Sequence, residues 1–210
     1  MADAKRFFEL IDHYNTSDVA GQAETEAVIL RQFRQDKAVL ALDMSGFTDL
    51  VQRFGVVHYV AIIRRMNLIA GQVIETNKGT IAKTDADNLT AVFGSVSHAV
   101  EAADQLFQAF EDDNQEKPST RHIRASVGIA YGDILAVPGY DVNGDAVNLS
   151  YKLGEDLAEV GEILLDQSAY RCLSKPEQAA YSARQYDVSG VTINAWLKPS
   201  MFEVSALGTD

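Results

Sequence analysis

One uninterrupted apolar run constrains the fold more than any other feature of this sequence. The five residues Ala38-Val39-Leu40-Ala41-Leu42 carry no polar side chain, and the run ends at Asp43. A short, continuous apolar run is typical of a strand that is buried on both faces in the middle of a sheet. We therefore predict a central strand with an acidic residue at its carboxyl end.

The segments that follow this strand predict a ferredoxin-like core. Helices are expected over 46–54, 57–76 and 97–111, and strands over 79–83, 89–93 and 123–131, with a tight turn over 84–88 between the second and third strands. The resulting βαββαβ order is the split βαβ arrangement, in which a mostly antiparallel sheet packs helices on one face. The expected fold class is α+β, with extra C-terminal strands and N-terminal helices. Because this fold serves many functions, it does not name one.

Further segments flank this core on both sides. We predict N-terminal helices over 3–14 and 24–36, joined by a polar linker over 15–23, so that residues 1–36 form a helical extension and residues 37–210 a domain. These helices either pack on their own domain or help the chain to dimerise or convey a signal. After the core we predict a helix over 144–157, a strand over 162–165, a helix over 167–173 and two or three strands over 181–204.

Charge and composition limit the partners. The formal net charge is −12, which excludes broad nucleic-acid binding because that requires a basic surface. A nucleotide enzyme with this charge must concentrate positive charge locally, for example through divalent metal ions. No apolar run approaches the length of about 20 residues that a membrane helix needs. The single cysteine, Cys172, cannot form an internal disulfide, so we expect a cytoplasmic protein in which Cys172 is a small core residue.

Two aspartates predict a metal site. Asp43 ends the central strand just before a helix, whose free N–H groups favour anions such as phosphate. Asp87 lies in the predicted turn, and the first strand and the central hairpin are neighbours in a ferredoxin-like sheet. Two carboxylates with open positions between them are typical of a magnesium site shared with phosphates. The alternatives are that Asp43 or Ser45 caps the helix and that Asp87 is an ordinary turn residue.

Four further polar residues are candidates for substrate contacts. Lys83 ends the strand before the turn, and Asp141 stands three residues before Gly144. Asn148 and Lys152 are spaced i,i+4 and so share a helix face; Asn is a weak helix former, which favours a functional role. The structural alternatives are that Lys83 is a solvated charge and that Asp141 caps the helix near Gly144.

Three motifs together resemble a known family. They are Asp43-Met44-Ser45-Gly46-Phe47-Thr48, then Lys83-Thr84-Asp85-Ala86-Asp87, then Asp141-x-x-Gly144-x-x-Val147-Asn148. In this order they resemble the class III nucleotidyl (adenylate/guanylate) cyclase catalytic domain, over about residues 37–207, and Gly161-Glu162-Ile163-Leu164 is similar as well. The resemblance implies that residues 37–210 are the catalytic domain of an adenylate cyclase, which converts ATP to 3',5'-cyclic AMP and pyrophosphate.

The resemblance also implies a role for each motif residue. Asp43 and Asp87 would bind two Mg²⁺ or Mn²⁺ ions with help from the Met44 carbonyl, and the amides of Ser45, Gly46, Phe47 and Thr48 would hold the triphosphate. Lys83 and Asp141 would recognise adenine, Asn148 would orient the ribose, and Lys152 would stabilise the transition state. Each site would form at a homodimer interface, with Asp43 and Asp87 from one chain and the other four side chains from its partner.

Three departures from the family pattern leave a second hypothesis open. Lys152 stands where the family usually has Arg, so the planar two-pronged contact is lost. Val188-Ser189-Gly190 stands where a triphosphate-binding Lys is common, and the short stretch between Gly132 and Asp141 resembles the short-arm subgroup. The alternative is a catalytically weak, cyclase-like nucleotide-binding or regulatory module. A diguanylate cyclase lacks support because no Gly-Gly-Asp/Glu-Glu-Phe signature is present.

Overall fold

The apolar run predicted as a central strand is the middle of the sheet. The computed structural model describes residues 2–188 and 190–199. The strands are β1 (Arg34–Met44), β2 (Gly79–Asp85), β3 (Asn88–Phe93), β4 (Ala125–Val137), β5 (Asp141–Asn143), β6 (Ile163–Asp166), β7 (Ser182–Val188) and β8 (Val191–Lys198). The α-helices are α1 (Ala2–Thr16), α2 (Val19–Phe33), α3 (Phe47–Phe54), α4 (Val56–Thr76), α5 (Val96–Gln115), α6 (Asp145–Tyr151), α7 (Gln167–Cys172) and α8 (Lys175–Gln178).

The sheet confirms the α+β, ferredoxin-like core. Its order is β2-β3-β1-β4-β6-β8-β7, and β5 pairs with β4 outside this path. Strand β1 pairs antiparallel with β3 on one side and with β4 on the other. The pairing of β4 with β6 is parallel, whereas the other pairs in the described residues are antiparallel, as the split βαβ arrangement predicts.

Helices cover both faces of the sheet, so the expectation of a single helical face is wrong. Leu40 and Leu42 of β1 lie in the core formed with α4 and α5, whereas Val39 packs with Val147 of α6 on the opposite face. Leu40 and Val39 are both fully buried. A central strand that is apolar on both sides needs cover on both sides, and α6 provides the second.

The polar linker predicted over 15–23 is also wrong. Helix α1 runs to Thr16 and α2 begins at Val19, where the Asp18 side chain accepts a hydrogen bond from the Gly21 N–H at 2.9 Å. This N-cap starts the helix within a polar segment. Residues 34–36, predicted as helical, belong to β1.

The N-terminal helices pack on their own chain. Phe7 and Leu10 of α1 and Phe33 of α2 are buried together with Val137 at the end of β4. Phe7 and Phe33 meet edge to face, with ring centroids 5.2 Å apart. The helices therefore cover the end of β4, as the first of the two alternatives expects.

A π-helical segment replaces the last turns of the predicted helix over 144–157. It spans Lys152–Leu157 directly after α6, and π-helical turns are rare and frequent at functional sites. Gly128 of β4 and Gly154 pack directly against each other here. A Cβ on Gly154 would therefore approach the Gly128 nitrogen to 2.8 Å and the Ala41 carbonyl oxygen to 2.9 Å. The missing side chains let the segment lie directly on the sheet.

The C-terminal part agrees with prediction in outline. Strands β7 and β8 form the expected antiparallel pair, and any third strand beyond residue 199 lies outside the described residues. Cys172 is exposed, so its assignment to the core is wrong. Within residues 2–188 and 190–199, no helix is long and apolar enough to cross a membrane.

Candidate active site

The sheet brings Asp43 and Asp87 together. Asp43 is the penultimate residue of β1 and pairs in register with Asn88, the first residue of β3. Asp87 directly precedes Asn88, in the two-residue turn between β2 and β3. The two carboxylates are close enough that the charge of Asp87 raises the pKa of Asp43. Antiparallel pairing of two distant segments thus creates a site with two carboxylates.

Two further acidic residues add to this cluster. The pKa of Asp43 is raised to about 6, first by burial and then by the charges of Asp87, Glu155 and Asp156. Burial also raises the pKa of Glu155, and the charges of Asp156 and Asp87 add to the effect. Glu155 and Asp156 come from the π-helical segment, and the sequence analysis did not identify them. Their charges would be neutralised best by a bound cation.

The residues present fit a divalent metal ion. Carboxylate and carbonyl oxygens are the ligands that Mg²⁺ prefers, and it keeps several positions for water and phosphate. Asp43, Asp87 and the Met44 carbonyl offer such a partial set. In the described part of the chain, no three His, Cys, Asp or Glu side chains form a complete metal site. An ion bound here would need further ligands besides these three oxygens.

A buried tyrosine hydroxyl connects the two halves of this set. The Tyr59 hydroxyl of α4 donates a hydrogen bond to Oδ2 of Asp87 at 2.8 Å and lies 3.4 Å from the Met44 carbonyl oxygen. Only 1% of Tyr59 is exposed. Burial, followed by the bond to Asp87, raises the pKa of Tyr59, so the hydroxyl stays a donor. In the sequence Tyr59 reads as an ordinary core position of a helix.

The turn after β1 has the local structure of an anion site. Gly46, with φ of 96°, is the N-cap of α3, and no side chain caps the helix. The capping alternative for Asp43 and Ser45 is therefore wrong. The Ser45 N–H donates to the Arg124 carbonyl at 2.8 Å, so this amide is already satisfied and the predicted set of amides is reduced to Gly46, Phe47 and Thr48.

A small cavity lies beside this turn. Its volume is about 100 Å³, and Ser45, Gly46, His122 and Arg124 are among its lining residues. Nη2 of Arg124 is buried and has no hydrogen-bond partner in the described residues. A buried guanidinium nitrogen without a partner is costly unless an acceptor joins it. Sequence reasoning missed Arg124, because a lone Arg before a strand carries no motif.

Lys83 and Asp141 lie on neighbouring elements. Lys83 is exposed on β2, with Nζ 3.9 Å from the Asp85 carboxylate. Asp141 begins β5, which lies next to β2, and its Oδ1 accepts a hydrogen bond from the Val142 N–H at 2.8 Å. The N-cap of α6 is Gly144, without a side-chain cap. The alternative that Asp141 caps this helix is therefore wrong.

Asn148 and Lys152 lie one helical turn apart. The Lys152 N–H donates to the Asn148 carbonyl, and the Asn148 side chain is exposed. Nζ of Lys152 pairs with Asp156 at 2.6 Å, the same carboxylate that acts on Asp43. Within one chain, Lys152 is thus bound to the acidic cluster. Ser189, in the segment without the expected triphosphate-binding Lys, lies outside the described residues.

Comparisons with known proteins found similar sequences and similar structures. Residues 31–201 match the family described as "Adenylate and Guanylate cyclase catalytic domain". A Rhizobium meliloti protein named "Putative adenylate cyclase 3" is 30% identical over 65% of this chain and 23% of its own length. The chain spans between 23% and 37% of the lengths of the curated relatives that it matches.

Solved structures share the fold. An adenylate/guanylate cyclase/hydrolase from Silicibacter pomeroyi is similar over 79% of this chain and 97% of its own, with 25% identity and a TM-score of 0.66. The guanylyl cyclase Cya2 is similar over 81% of this chain and 95% of its own, with 19% identity and a TM-score of 0.66. At the latter identity the likeness concerns the fold alone.

Proposed function

Because this chain belongs to the family of adenylate and guanylate cyclase catalytic domains, we propose that it converts ATP to 3',5'-cyclic AMP and pyrophosphate at a homodimer interface. The observation that carries the proposal is the convergence of Asp43, at the end of β1, and Asp87, in the turn before β3. Burial first, and then the charge of Asp87, raise the pKa of Asp43 to about 6. The choice of ATP is supported by the Lys83 and Asp141 pair and by the name of the Rhizobium meliloti relative.

In this proposal the 3'-hydroxyl of the ribose gives up its proton to solvent water and its oxygen attacks the α-phosphorus. The bond from the α-phosphorus to the oxygen that bridges it to the β-phosphorus breaks, and pyrophosphate leaves. Asp43, Asp87 and the Met44 carbonyl would hold Mg²⁺ or Mn²⁺, which when bound would acidify the hydroxyl and neutralise the phosphate charge. The chain contributes positioning and electrostatics, as in phosphoryl transfer generally. Asn148 orients the ribose, and Lys152 stabilises charge on the reacting phosphate.

We assign the triphosphate to the turn after β1. The amides of Gly46, Phe47 and Thr48 begin α3 without a side-chain cap. Arg124 is half-buried, and its guanidinium, whose Nη2 is buried without a partner in the described residues, lines the cavity beside them. It offers a cation where the expected Lys is missing. The catalytic domain comprises residues 37–210. In the preceding residues 1–36, helices α1 and α2 pack on the end of β4, and residues 34–36 begin β1.

The test is the formation of cyclic AMP by the purified full chain with ATP and Mg²⁺ or Mn²⁺. Asp43→Ala should lower the rate by about 10²-fold or more, since even the loss of an outer-shell partner of a metal ligand reaches that size. Asp49→Ala is the matched control, because Asp49 is an exposed aspartate of α3 that pairs with Arg53. Equal product from Asp43→Ala and the native chain would refute the metal assignment.

A weakly active nucleotide-binding module remains the second candidate. The observation that favours it is the ion pair of Lys152 with Asp156 at 2.6 Å, which occupies the cation assigned to the transition state. The module would bind ATP and form no product. Lys152→Arg distinguishes the two: if cyclic AMP forms only in this variant, the native chain is a degenerate cyclase.

A further inference from the structure

The Tyr59 hydroxyl lies where the two halves of the candidate metal site meet. It contacts Asp87, in the turn between β2 and β3, at 2.8 Å, and the Met44 carbonyl oxygen, at the end of β1, at 3.4 Å. Both partners are metal ligands in the proposed function, on which this inference rests. A hydroxyl that reaches both can fix their separation.

The position of Tyr59 on α4 makes its hydroxyl a rigid reference point. Tyr59 is buried in the core together with Ile62 and Met66 of the same helix, and its ring has no room to move without disturbing them. The turn between β2 and β3, which carries Asp87, is partly exposed rather than buried. Ala86 is exposed and adopts a φ of 51°, which non-glycine residues adopt at a cost, so the turn needs an external anchor.

The Tyr59 hydroxyl opposes the repulsion among the four carboxylates of the acidic cluster. Asp43, Asp87, Glu155 and Asp156 repel one another, as their effects on Asp43 show. This repulsion would move Asp87, on the exposed turn, away from Asp43. The hydrogen bond from Tyr59 opposes that movement without adding charge. Because an ionised carboxylate has about four lone-pair sites, one bond to Oδ2 leaves acceptors free for a cation.

We infer that Tyr59 is a positioning residue of the metal site, which holds Asp87 beside Asp43 and Met44 before any ion binds. The reverse interpretation, in which the hydroxyl merely stabilises the fold, makes a different prediction. Loss of the hydroxyl would then lower the unfolding temperature and leave metal affinity unchanged.

The experiment measures binding of Mn²⁺ alone to the full chain by electron paramagnetic resonance, without nucleotide. Tyr59→Phe keeps the ring and removes the hydroxyl, and it should weaken Mn²⁺ affinity by about 10- to 100-fold, the usual effect of losing an outer-shell partner. In the cyclase assay the Mn²⁺ concentration for half-maximal rate should rise in proportion, with the rate at saturating Mn²⁺ largely kept.

Tyr181→Phe is the matched control. Tyr181 is also buried, and its hydroxyl has no hydrogen-bond partner in the described residues, so its removal should leave Mn²⁺ affinity unchanged. Asp43→Asn should abolish binding at this site. If Tyr59→Phe binds Mn²⁺ like the native chain while Asp43→Asn does not, the role of Tyr59 is overturned and the proposed function stands. If the native chain binds no Mn²⁺ without nucleotide, the inference that Tyr59 holds the site ready before any ion binds is overturned, whereas the proposed function is tested separately by cyclic AMP formation from ATP.

Discussion

At the scale of single residues, three of the side chains proposed to contact substrate have polar partners within their own chain. Lys83 lies near Asp85, and Lys152 pairs with Asp156. Asp141 accepts from the next backbone N–H. These contacts are local, between residues at most four positions apart. A nucleotide that displaces them exchanges one polar partner for another, so recognition costs little unless a partner is left unsatisfied.

Base choice is the first prediction at this scale. If Lys83 donates to N1 of adenine and Asp141 accepts from the 6-amino group, guanine presents a donor to Lys83 and an acceptor to Asp141. Each unsatisfied buried group costs roughly 1–3 kcal/mol. The double variant Lys83→Glu with Asp141→Cys should therefore lower kcat/KM for ATP and raise the relative use of GTP.

The measurement is the ratio of kcat/KM for ATP to that for GTP. Lys175→Glu is a control for the change of charge, because Lys175 lies on α8 and contacts Gln178. An unchanged ratio in a folded double variant would show that these residues do not recognise the base.

The acidic cluster gives a second prediction, on metal-free stability. The folded-state pKa of Asp43 is about 6, above the usual range of aspartate, so the folded chain binds more protons than the unfolded chain between the two values. The free energy of unfolding contributed by this group is therefore fully present at low pH and is lost as pH rises through about 6. Asp43→Asn should remove this pH dependence.

The measurement is the unfolding temperature of the native chain and of Asp43→Asn in the presence of a chelator, from about pH 4 to about pH 7. Addition of Mn²⁺ at neutral pH should raise the unfolding temperature of the native chain and leave that of Asp43→Asn unchanged. Parallel pH profiles for the two proteins would contradict the prediction.

At the scale of elements, patterns that depend on neighbouring residues were predictable. The apolar run of β1 and the Asp-rich turn before β3 placed Asp43 correctly at the end of one strand and Asp87 correctly in the turn that leads into its neighbour. The start of α2 was missed, because its N-cap Asp18 stands in a polar segment that resembles a linker.

Features that depend on tertiary contact were not predictable. The strand β5 forms only against the extended part of β4, and the π-helical segment depends on the close approach of Gly154 to Gly128. The hydroxyl of Tyr59 and the guanidinium of Arg124 reach the site from positions that carry no local signal. Sequence motifs name the residues that face the ligand, whereas packing decides which residues hold them in place.

The contact between Gly154 and Gly128 gives a third prediction. In Gly154→Ala the added Cβ would approach backbone atoms of Gly128 and Ala41 to 2.8 and 2.9 Å, and backbone cannot yield as a flexible side chain does. Overpacking costs about 1–3 kcal/mol. Displacement of the segment that carries Lys152, Glu155 and Asp156 should also lower cyclase activity more than the loss of stability explains.

Gly71→Ala is the matched control, because Gly71 lies inside α4 and an added Cβ would meet no atom within 4 Å. It should stabilise the helix by about 0.5–1 kcal/mol. Chemical denaturation gives the free energies of unfolding of Gly154→Ala and Gly71→Ala. Equal values for the two variants would contradict the packing argument.

At the scale of the whole molecule, one chain contains both sets of side chains that the proposed reaction needs. Asp43 and Asp87 lie at the end of β1 and in the adjoining turn, whereas Asn148 is exposed on α6. Two copies related by twofold symmetry would place each set opposite the other, so that a homodimer holds two equivalent sites. Since like-charged chains of net charge −12 repel, association should strengthen as salt screens this repulsion.

Complementation between inactive variants tests this arrangement. Asp43→Ala removes the metal half and Asn148→Ala the ribose half, so each homodimer should be impaired at both sites. A mixed dimer has one site with both halves intact. Random exchange makes half of the dimers mixed, and one of two sites works in each, so activity should return to about a quarter of the native value in a symmetric dimer. The matched control mixes Asp43→Ala with Asp87→Ala, which remove the same half and leave every site of the mixed dimer defective. Cyclic AMP formation, measured after subunit exchange verified with differently tagged chains, should recover only in the first mixture. Recovery in neither mixture once exchange is complete would show that each chain builds its site alone, and recovery in both would show that Asp43 and Asp87 do not belong to the same half of a site.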